Sequence, residues 1–380
     1  MTPDTQLAKS TILPKTGLLK QHRSLFECSP VNISVLGLLL MLPVTLWVTE
    51  NPQKTLFDIS WLLIGIGAFY LISALCISMV IVRWLAALSV LAGLLIIIFV
   101  PPYVTWNLRP QSAFLLEVYQ NFPKIKELSA HPNTLSVCLL TCLPFYTGLL
   151  LFNGRKIRAL DWLFTASVVL MGLGFLYFSQ SVGGWAGLAV AFLLLLLLRW
   201  RRIGLLVILV SCAALTYFMI FGQPEAIKAF TMREFVEPLK VRSEMWVRAI
   251  YFIREFPITG VGMGTYHQKV DTLFPLTITP PESFPHPHAH NAYLQMAVDL
   301  GLPGLAAWIS ILIAALIAAW QVYCKGRERR DPWVLGLGAG LLATQVGLMA
   351  HGLVDNVTLA FWPVWGLTIG CRSLINQKIR

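Results

Sequence analysis

Charged residues are scarce in this sequence. Asp, Glu, Lys and Arg make up 12% of its 380 residues, whereas soluble domains carry about 25%. Hydrophobic residues make up 57%, and they are grouped in blocks long enough to span a bilayer. These features exclude an ordinary soluble domain and predict an all-α, polytopic integral membrane protein.

Ionisable residues are also rare inside the apolar blocks. Asp58, Arg83, Asp161 and Asp355 all fall at predicted block ends. Ion-coupled transporters and proton pumps usually carry an ionisable residue at mid-membrane depth. The pattern therefore argues against transport, and a small-solute transporter is kept as the alternative from a different functional class.

The seven cysteines show no metal-ligand spacing, and none lies in a long polar loop. Cys138 and Cys142 are one helical turn apart within an apolar block. Small packing residues are the simpler interpretation of such a pair. No cysteine-based metal site is therefore predicted.

The apolar blocks predict about ten transmembrane helices. The short connections between them, at 83, 153–160, 199–202 and 325–331, are basic and fall on the side of the N-terminal tail. Because positive residues stay in the cytoplasm, both termini are predicted to be cytoplasmic. The net charge of +11 is thus an orientation signal, and nucleic acid is not a predicted partner. The predicted spans are 31–49, 59–82, 84–104, 134–152, 161–179, 183–198, 203–222, 303–324, 333–352 and 358–373.

These spans divide the chain into tails, membrane regions and one large outer loop. Apolar positions at helical spacing predict that this loop contains a helix over Val241–Phe256. The regions are a cytoplasmic tail (1–30), transmembrane helices 1–7 (31–222) with an outer loop (105–133), a large extracytoplasmic catalytic loop (223–302), transmembrane helices 8–10 (303–373) and a cytoplasmic tail (374–380).

The large loop holds a histidine cluster, formed by His286, His288 and His290. Asn291 is a good N-cap and Gly301 a good helix stop, so His290 should lie just before a helix N-terminus. The partial positive charge at that end disfavours an imidazolium. A neutral imidazole is what a general base needs, although a surface or structural role is the simpler reading of a loop histidine.

The alternating histidines also allow a metal hypothesis, because every second side chain of an extended segment points to the same side. Glu282 and Asp299 are the only carboxylates that the sequence places nearby. We therefore predict no metal and no cofactor.

His351 and Asp355 are one helical turn apart at an outer span end, where they either pair structurally or orient a group in the same cleft.

Arg242 shares an apolar helix face with Trp246. A guanidinium there is costly unless it binds an anion in a cleft. Arg248 has Glu244 within helical reach, so a solvated ion pair explains it adequately. Lys240 is a weaker candidate for anion binding.

An ordered set of motifs runs through the large loop into the following span. The motifs are Arg242-x-x-x-Trp246, Phe256-Pro-x-x-Gly260-Val-Gly-x-Gly264-Thr-Tyr266, His290-Asn-x-x-Leu294 and Gly301-x-x-Gly304.

This set resembles the O-antigen ligase and O-antigen polymerase superfamily. Its members are polytopic proteins of the bacterial inner membrane with a large periplasmic loop before the late spans. The resemblance implies a metal-independent, inverting glycosyltransferase that uses a polyprenyl-diphosphate-linked glycan. His290 takes the place of the essential histidine, which would deprotonate the acceptor hydroxyl, and Arg242 that of an essential arginine, which would neutralise the leaving diphosphate. The predicted substrate-binding residues are Arg248, Lys240, Trp246, His288 and Asn291.

The expected function is an O-antigen ligase that attaches the glycan to lipid A–core or a similar acceptor at the periplasmic face. The expected partners are the lipid-linked donor, a lipid or glycan acceptor and the bilayer. A polymerase that joins lipid-linked repeats is the first alternative, and a non-catalytic scaffold is a further one.

Many members carry an arginine after an outer-side serine, but Val182 follows Ser181 here. Arg109 or Arg248 could supply the missing charge.

Overall fold

A computed structural model describes residues 30–104, 117, 132–153, 159–222, 228, 236–277 and 288–377. Of the residues singled out above, Arg109, Glu282 and His286 lie outside these ranges. The described part contains twelve α-helices and no strand, which confirms the all-α prediction. The helices are α1 (Pro30–Val48), α2 (Pro52–Leu75), α3 (Met79–Phe99), α4 (Pro132–Asn153), α5 (Ala159–Ser179), α6 (Val182–Arg199), α7 (Arg201–Phe221), α8 (Glu237–Glu255), α9 (Tyr266–Leu273), α10 (Ala292–Glu328), α11 (Pro332–Gly352) and α12 (Thr358–Gln377).

Nine of the described helices, α1 to α7, α10 and α11, are long and apolar enough to cross a membrane. The chain is therefore a multi-pass membrane protein. Helix α12 coincides with the tenth predicted span but is not among these nine, and it continues to Gln377, into the predicted tail. Its aromatic residues Phe361, Trp362 and Trp365 are fully buried, so α12 packs inside the bundle.

Two predicted boundaries around the second span were wrong. Helix α2 begins at Pro52 instead of 59, because the Asn51 side chain caps it by accepting the Lys54 backbone N–H. Ser78 caps the start of α3, so the break between α2 and α3 comes before residue 79. Arg83 therefore lies inside α3 and not in a connection. Its guanidinium stacks 5.3 Å from the Trp333 ring centroid, which accommodates the charge near the helix end.

Close helix packing in the bundle depends on glycines that face the central helix α11. A Cβ atom at Gly148 of α4 would lie 2.5 Å from the Cα of Gly340 on α11. On the other side, a Cβ atom at Gly187 of α6 would lie 2.7 Å from the carbonyl oxygen of Gly347. Small residues let membrane helices approach closely enough for extensive dispersion contact. Helix α11 is accordingly the most buried of the nine candidate spans.

Helices α8 and α9 form a layer over one end of the bundle, and α8 confirms the predicted amphipathic helix. The layer has its own apolar core, which includes Met245, Phe252 and Tyr266. Thr45 of α1 ties it to the membrane helices by accepting the backbone N–H of Met263 at 2.8 Å. The layer is therefore held against the bundle by buried polar contacts.

The predicted helix stop at Gly301 is confirmed as a break within α10. Gly301 has φ +70°, a conformation that favours glycine. A Cβ atom there would lie 2.2 Å from the carbonyl oxygen of Ile258, and one at Gly260 would lie 2.5 Å from that of Val298. The two motif glycines thus let the chain before α9 pack directly on the broken helix.

The packing of α4 on α11 predicts a clear difference between two glycine substitutions. Gly148→Ala forces a methyl group into the backbone of Gly340 and should cost about 1–3 kcal/mol of stability. Gly174→Ala on α5 meets no atom within 4 Å and should be neutral or stabilising. The measurement is the thermal unfolding midpoint in detergent, and equal midpoints for the two variants would contradict this packing.

Candidate active site

Asp355 is a buried carboxylate in the turn between α11 and α12. Such a group is costly to bury unless polar partners surround it. Asn133, at the start of α4, donates its side-chain N–H to Oδ2 at 2.6 Å, and the backbone N–H of Asn356 donates to Oδ1 at 2.8 Å. These bonds fix the carboxylate in one orientation at the end of the bundle that carries the α8–α9 layer.

Three imidazoles surround this carboxylate. His290 Nδ1 lies 3.3 Å from Oδ1, and His288 Nε2 lies 3.9 Å from the same oxygen. His351 Nε2 lies 3.9 Å from Oδ2. The His290 contact is not aligned for a linear hydrogen bond, so it is mainly an electrostatic contact. His351 and Asp355, which the sequence places one helical turn apart, therefore belong to a larger cluster.

Electrostatics keep Asp355 ionised and bring Arg242 into the same site. Burial raises the pKa of Asp355, but the interactions with His290, His351 and His288 outweigh it, so the pKa lies well below its usual range. Burial lowers the pKa of Arg242, and the negative charge of Asp355 opposes that shift. Arg242 remains charged, because its ordinary pKa is so high. The structure thus places Arg242 and His290 within the electrostatic reach of one carboxylate.

His290 is held in a left-handed backbone conformation, with φ +46°. This region is uncommon for residues other than glycine and is kept only where the surroundings enforce it. Trp246 of α8 donates its indole N–H to the carbonyl oxygen of His290 at 3.3 Å. The backbone N–H of His290 donates to His288 Nδ1 at 3.2 Å, and Asn291 caps the first turn of α10 as predicted. These contacts hold the backbone from which the imidazole extends to Asp355.

The geometry equips His290 for acid–base chemistry. Because Nδ1 faces Asp355, Nε2 is the ring nitrogen left to accept a proton from a bound molecule. The carboxylate would then stabilise the imidazolium that forms. The carboxylate favours the imidazolium, whereas the helix N-terminus, as predicted from the sequence, disfavours it.

The other predicted binding residues occupy different positions. Arg248 lies 3.4 Å from Glu244, which confirms the helical pairing, but Glu244 is buried, so the pair is not the solvated one that was predicted. Being six residues after Arg242, it lies on a different face of α8. Lys240 is exposed. The Asn291 side chain is occupied on both ends, because its oxygen caps α10 and its N–H group donates to a carbonyl in the turn before α12.

The carboxylate assignment from the sequence was wrong. It considered only Glu282 and Asp299 as neighbours of the histidines, but the carboxylate beside His290 is Asp355. Asp299 instead accepts a hydrogen bond from Gln295, one helical turn earlier in α10.

Asn133 was missed as a site residue. Its only sequence signal was its position at the end of the outer loop, next to a predicted span. The contact with Asp355 joins α4 to the turn after α11, which is far away in the chain, so no local spacing could reveal it.

The ligand atoms of His288, His290 and Asp355 lie within 4.8 Å of one another, a spacing that could hold a metal ion. A histidine that ligates through Nε2 carries its proton on Nδ1 and donates it to an acceptor. Here Nδ1 of His288 instead accepts the N–H of His290, so its proton belongs on Nε2, facing Asp355. This hydrogen bond favours a charge network over a metal centre, and the absence of a metal stays a prediction.

The turn that departs from the expected Ser-Arg pattern borders this cluster. Ser181 caps α6 by accepting the N–H of Gly184. A Cβ atom at Gly183 would lie 3.1 Å from His351 Nε2, so the turn packs on the His351 ring. Val182 therefore leaves this turn without the positive charge that the resemblance implies.

Comparison with protein families matches residues 166–309 to the family described as O-Antigen ligase. The matched segment contains Arg242, Trp246, His288 and His290, and it ends in α10 after the break at Gly301. The match confirms the resemblance to the O-antigen ligase superfamily and indicates a ligase or polymerase type of function. A comparison with curated proteins found no match.

The charge-network interpretation predicts that metal removal leaves the protein unchanged. After treatment with EDTA, the thermal unfolding midpoint in detergent should equal that of the untreated protein. One equivalent of Zn²⁺ should not raise it. A drop on chelation that Zn²⁺ reverses in the wild type, and that is absent from a His288→Ala variant, would contradict the interpretation.

Proposed function

We propose that this protein, whose residues 166–309 match the O-antigen ligase family, is an inverting, metal-independent glycosyltransferase of the bacterial inner membrane. It moves a glycan from a polyprenyl-diphosphate donor to an acceptor hydroxyl, on lipid A–core or a similar molecule. The observation that carries the proposal is the His290 imidazole held against the buried Asp355 carboxylate, with Arg242 in range of the same charge.

The chemistry follows from the roles of these three groups. Nε2 of His290 takes the proton of the acceptor hydroxyl as its oxygen attacks the anomeric carbon of the glycan. A new glycosidic C–O bond forms while the bond from that carbon to the diphosphate oxygen breaks. Asp355 stabilises the imidazolium, and the Arg242 guanidinium neutralises the charge on the departing diphosphate. The proton then leaves His290 for solvent.

Other residues of the site position the base. Trp246 and His288 hold His290 in its left-handed conformation through the bonds to its carbonyl oxygen and N–H. Arg248 is already paired with Glu244, and we assign it to the stability of the α8–α9 layer.

The proposed orientation places the site in the periplasm and both termini in the cytoplasm. The basic turns after α6 and α10 lie one helix length from the site. The ends of these two helices are close together, because the Tyr323 hydroxyl of α10 donates to the carbonyl oxygen of Leu198 in α6. Positive residues stay on the cytoplasmic side, so the opposite end of the bundle would face outward. A lipid-linked donor that has crossed the membrane would reach the site there.

A polymerase that joins lipid-linked repeats would use the same base and the same diphosphate site. The two functions differ only in the acceptor. Deletion of the gene separates them: lipid-linked polymer accumulates when a ligase is lost, whereas single-repeat glycan without long chains remains when a polymerase is lost.

Substitution of the two reacting residues tests the proposal in the deletion strain. His290→Ala and Arg242→Ala should each lower glycan transfer by about 10²–10⁴-fold, because one removes the base and the other the charge on the leaving group. The measurement is gel analysis of surface glycan at equal protein level in the membrane.

His267→Ala is the matched control, because this histidine lies on α9 in the same layer and faces Asp271 at 3.6 Å. It should support normal glycan output. Full output from His290→Ala, or an equal loss from His267→Ala, would overturn the proposal.

A further inference from the structure

A cavity of about 250 Å³ opens beside the histidine cluster, between the first turns of α2, the break before α9 and the starts of α10 and α12. Its walls combine aromatic, aliphatic and polar side chains. They include Asp58 and Trp61 of α2, His288, Asp299 of α10 and Asn356.

The cavity shares a wall with the proposed base. His288 lines it, and the His288 ring centroid lies 4.2 Å from that of His290. Asn356 also lines it, while the backbone N–H of Asn356 donates to Asp355. A molecule bound in the cavity would therefore lie one side chain away from the imidazole that accepts the proton.

Open hydrogen-bonding groups line this cavity. Asp299 is buried, and its Oδ1 accepts the Gln295 side-chain N–H at 2.8 Å and the Gly264 backbone N–H at 3.3 Å. Its Oδ2 accepts no hydrogen bond from the residues that the structure describes. This oxygen is open to the cavity, so a hydroxyl of a bound molecule can donate to it.

The charge balance of the cavity selects against an anion. Lys54 is the one ammonium group among the residues that line it, and it already lies 2.6 Å from the Asp58 carboxylate. A diphosphate would find no unpaired cation in this lining, and the guanidinium suited to it, Arg242, lies on α8, which contributes no side chain to the cavity. An uncharged ring with several hydroxyl groups fits this cavity. Its hydroxyl groups can donate to the carboxylate oxygens of the wall, and its apolar face can pack on Trp61.

We propose that this cavity binds the acceptor sugar, the ring that carries the attacking hydroxyl. This inference rests on the proposed function and adds the side of the site from which the acceptor enters. The donor diphosphate binds toward Arg242, the acceptor ring binds between Trp61 and Asp299, and His290 lies between the two.

The test measures steady-state kinetics of the purified full-length protein in detergent. Lipid-linked glycan and lipid A–core, both extracted from the deletion strain, are the donor and acceptor. Trp61→Ala and Asp58→Asn should each raise the acceptor KM by about tenfold or more, which corresponds to about 1.4 kcal/mol of binding. The donor KM and the kcat should stay near the wild-type values, because neither side chain contacts the diphosphate or the base.

Trp84→Ala is the matched control, since Trp84 is a tryptophan on the exposed surface of α3, away from the cavity. It should leave every constant unchanged. Asp58→Asn gives a second test of the subsite if Trp61→Ala does not fold. A variant is used for kinetics only if it unfolds at the wild-type temperature. An unchanged acceptor KM in both variants, or a rise in the donor KM instead, would overturn the subsite.

The two proposals fail in different ways. If His290→Ala is inactive while Trp61→Ala and Asp58→Asn keep the wild-type acceptor KM, the glycosyltransferase proposal stands and the acceptor subsite is wrong. If His290→Ala transfers glycan at the wild-type rate, the proposed function itself is wrong.

Discussion

The buried carboxylate of Asp355 is the constraint on which the rest of this site depends. A negative charge at this depth must be matched by donors and positive charge, and four separate parts of the chain supply them. They are Asn133 in the first turn of α4, the His288–His290 segment before α10, His351 at the end of α11, and Arg242 on α8. The same contacts that compensate the charge gather the reacting groups at one end of the bundle.

The fold around this carboxylate is set by close backbone packing. The glycines of α4 and α6 bring both helices onto α11, and this fixes the end of α11 where His351 and the turn to Asp355 lie. The breaks at Gly260 and Gly301 bring the α8–α9 layer down on α10, so that Trp246 reaches the carbonyl oxygen of His290. The site therefore depends on helix packing as much as on its own side chains.

The sequence predicted the features that local signals encode. Apolar blocks indicated the membrane helices, the spacing of apolar residues indicated α8, and Asn291 and Gly301 marked the ends of the short helix that follows His290. The start of α2 was missed because its first turns carry Lys54 and Asp58, which lower the local hydropathy although the helix is already formed. The ordered motifs also indicated the resemblance that the family match over residues 166–309 supports.

The contacts that complete the site could not be predicted, because they join residues that are distant in the chain. Asp355 was recognised only as the helical neighbour of His351, and neither its contact with His290 nor the bond from Asn133 follows any spacing rule. The cavity beside His288 likewise combines residues from α2, α10 and α12. Such contacts depend on how the helices pack, which one sequence does not encode in a readable pattern.

The central claim is that the Asp355 carboxylate orients His290 and stabilises its protonated form. The most direct test is the kcat of the purified Asp355→Asn variant, with Asp271→Asn on α9 as the control. The account predicts that kcat falls by about 10²–10⁴-fold while the KM of donor and acceptor changes little and the control stays normal. A wild-type kcat for Asp355→Asn, in a protein that unfolds at the wild-type temperature, would contradict it.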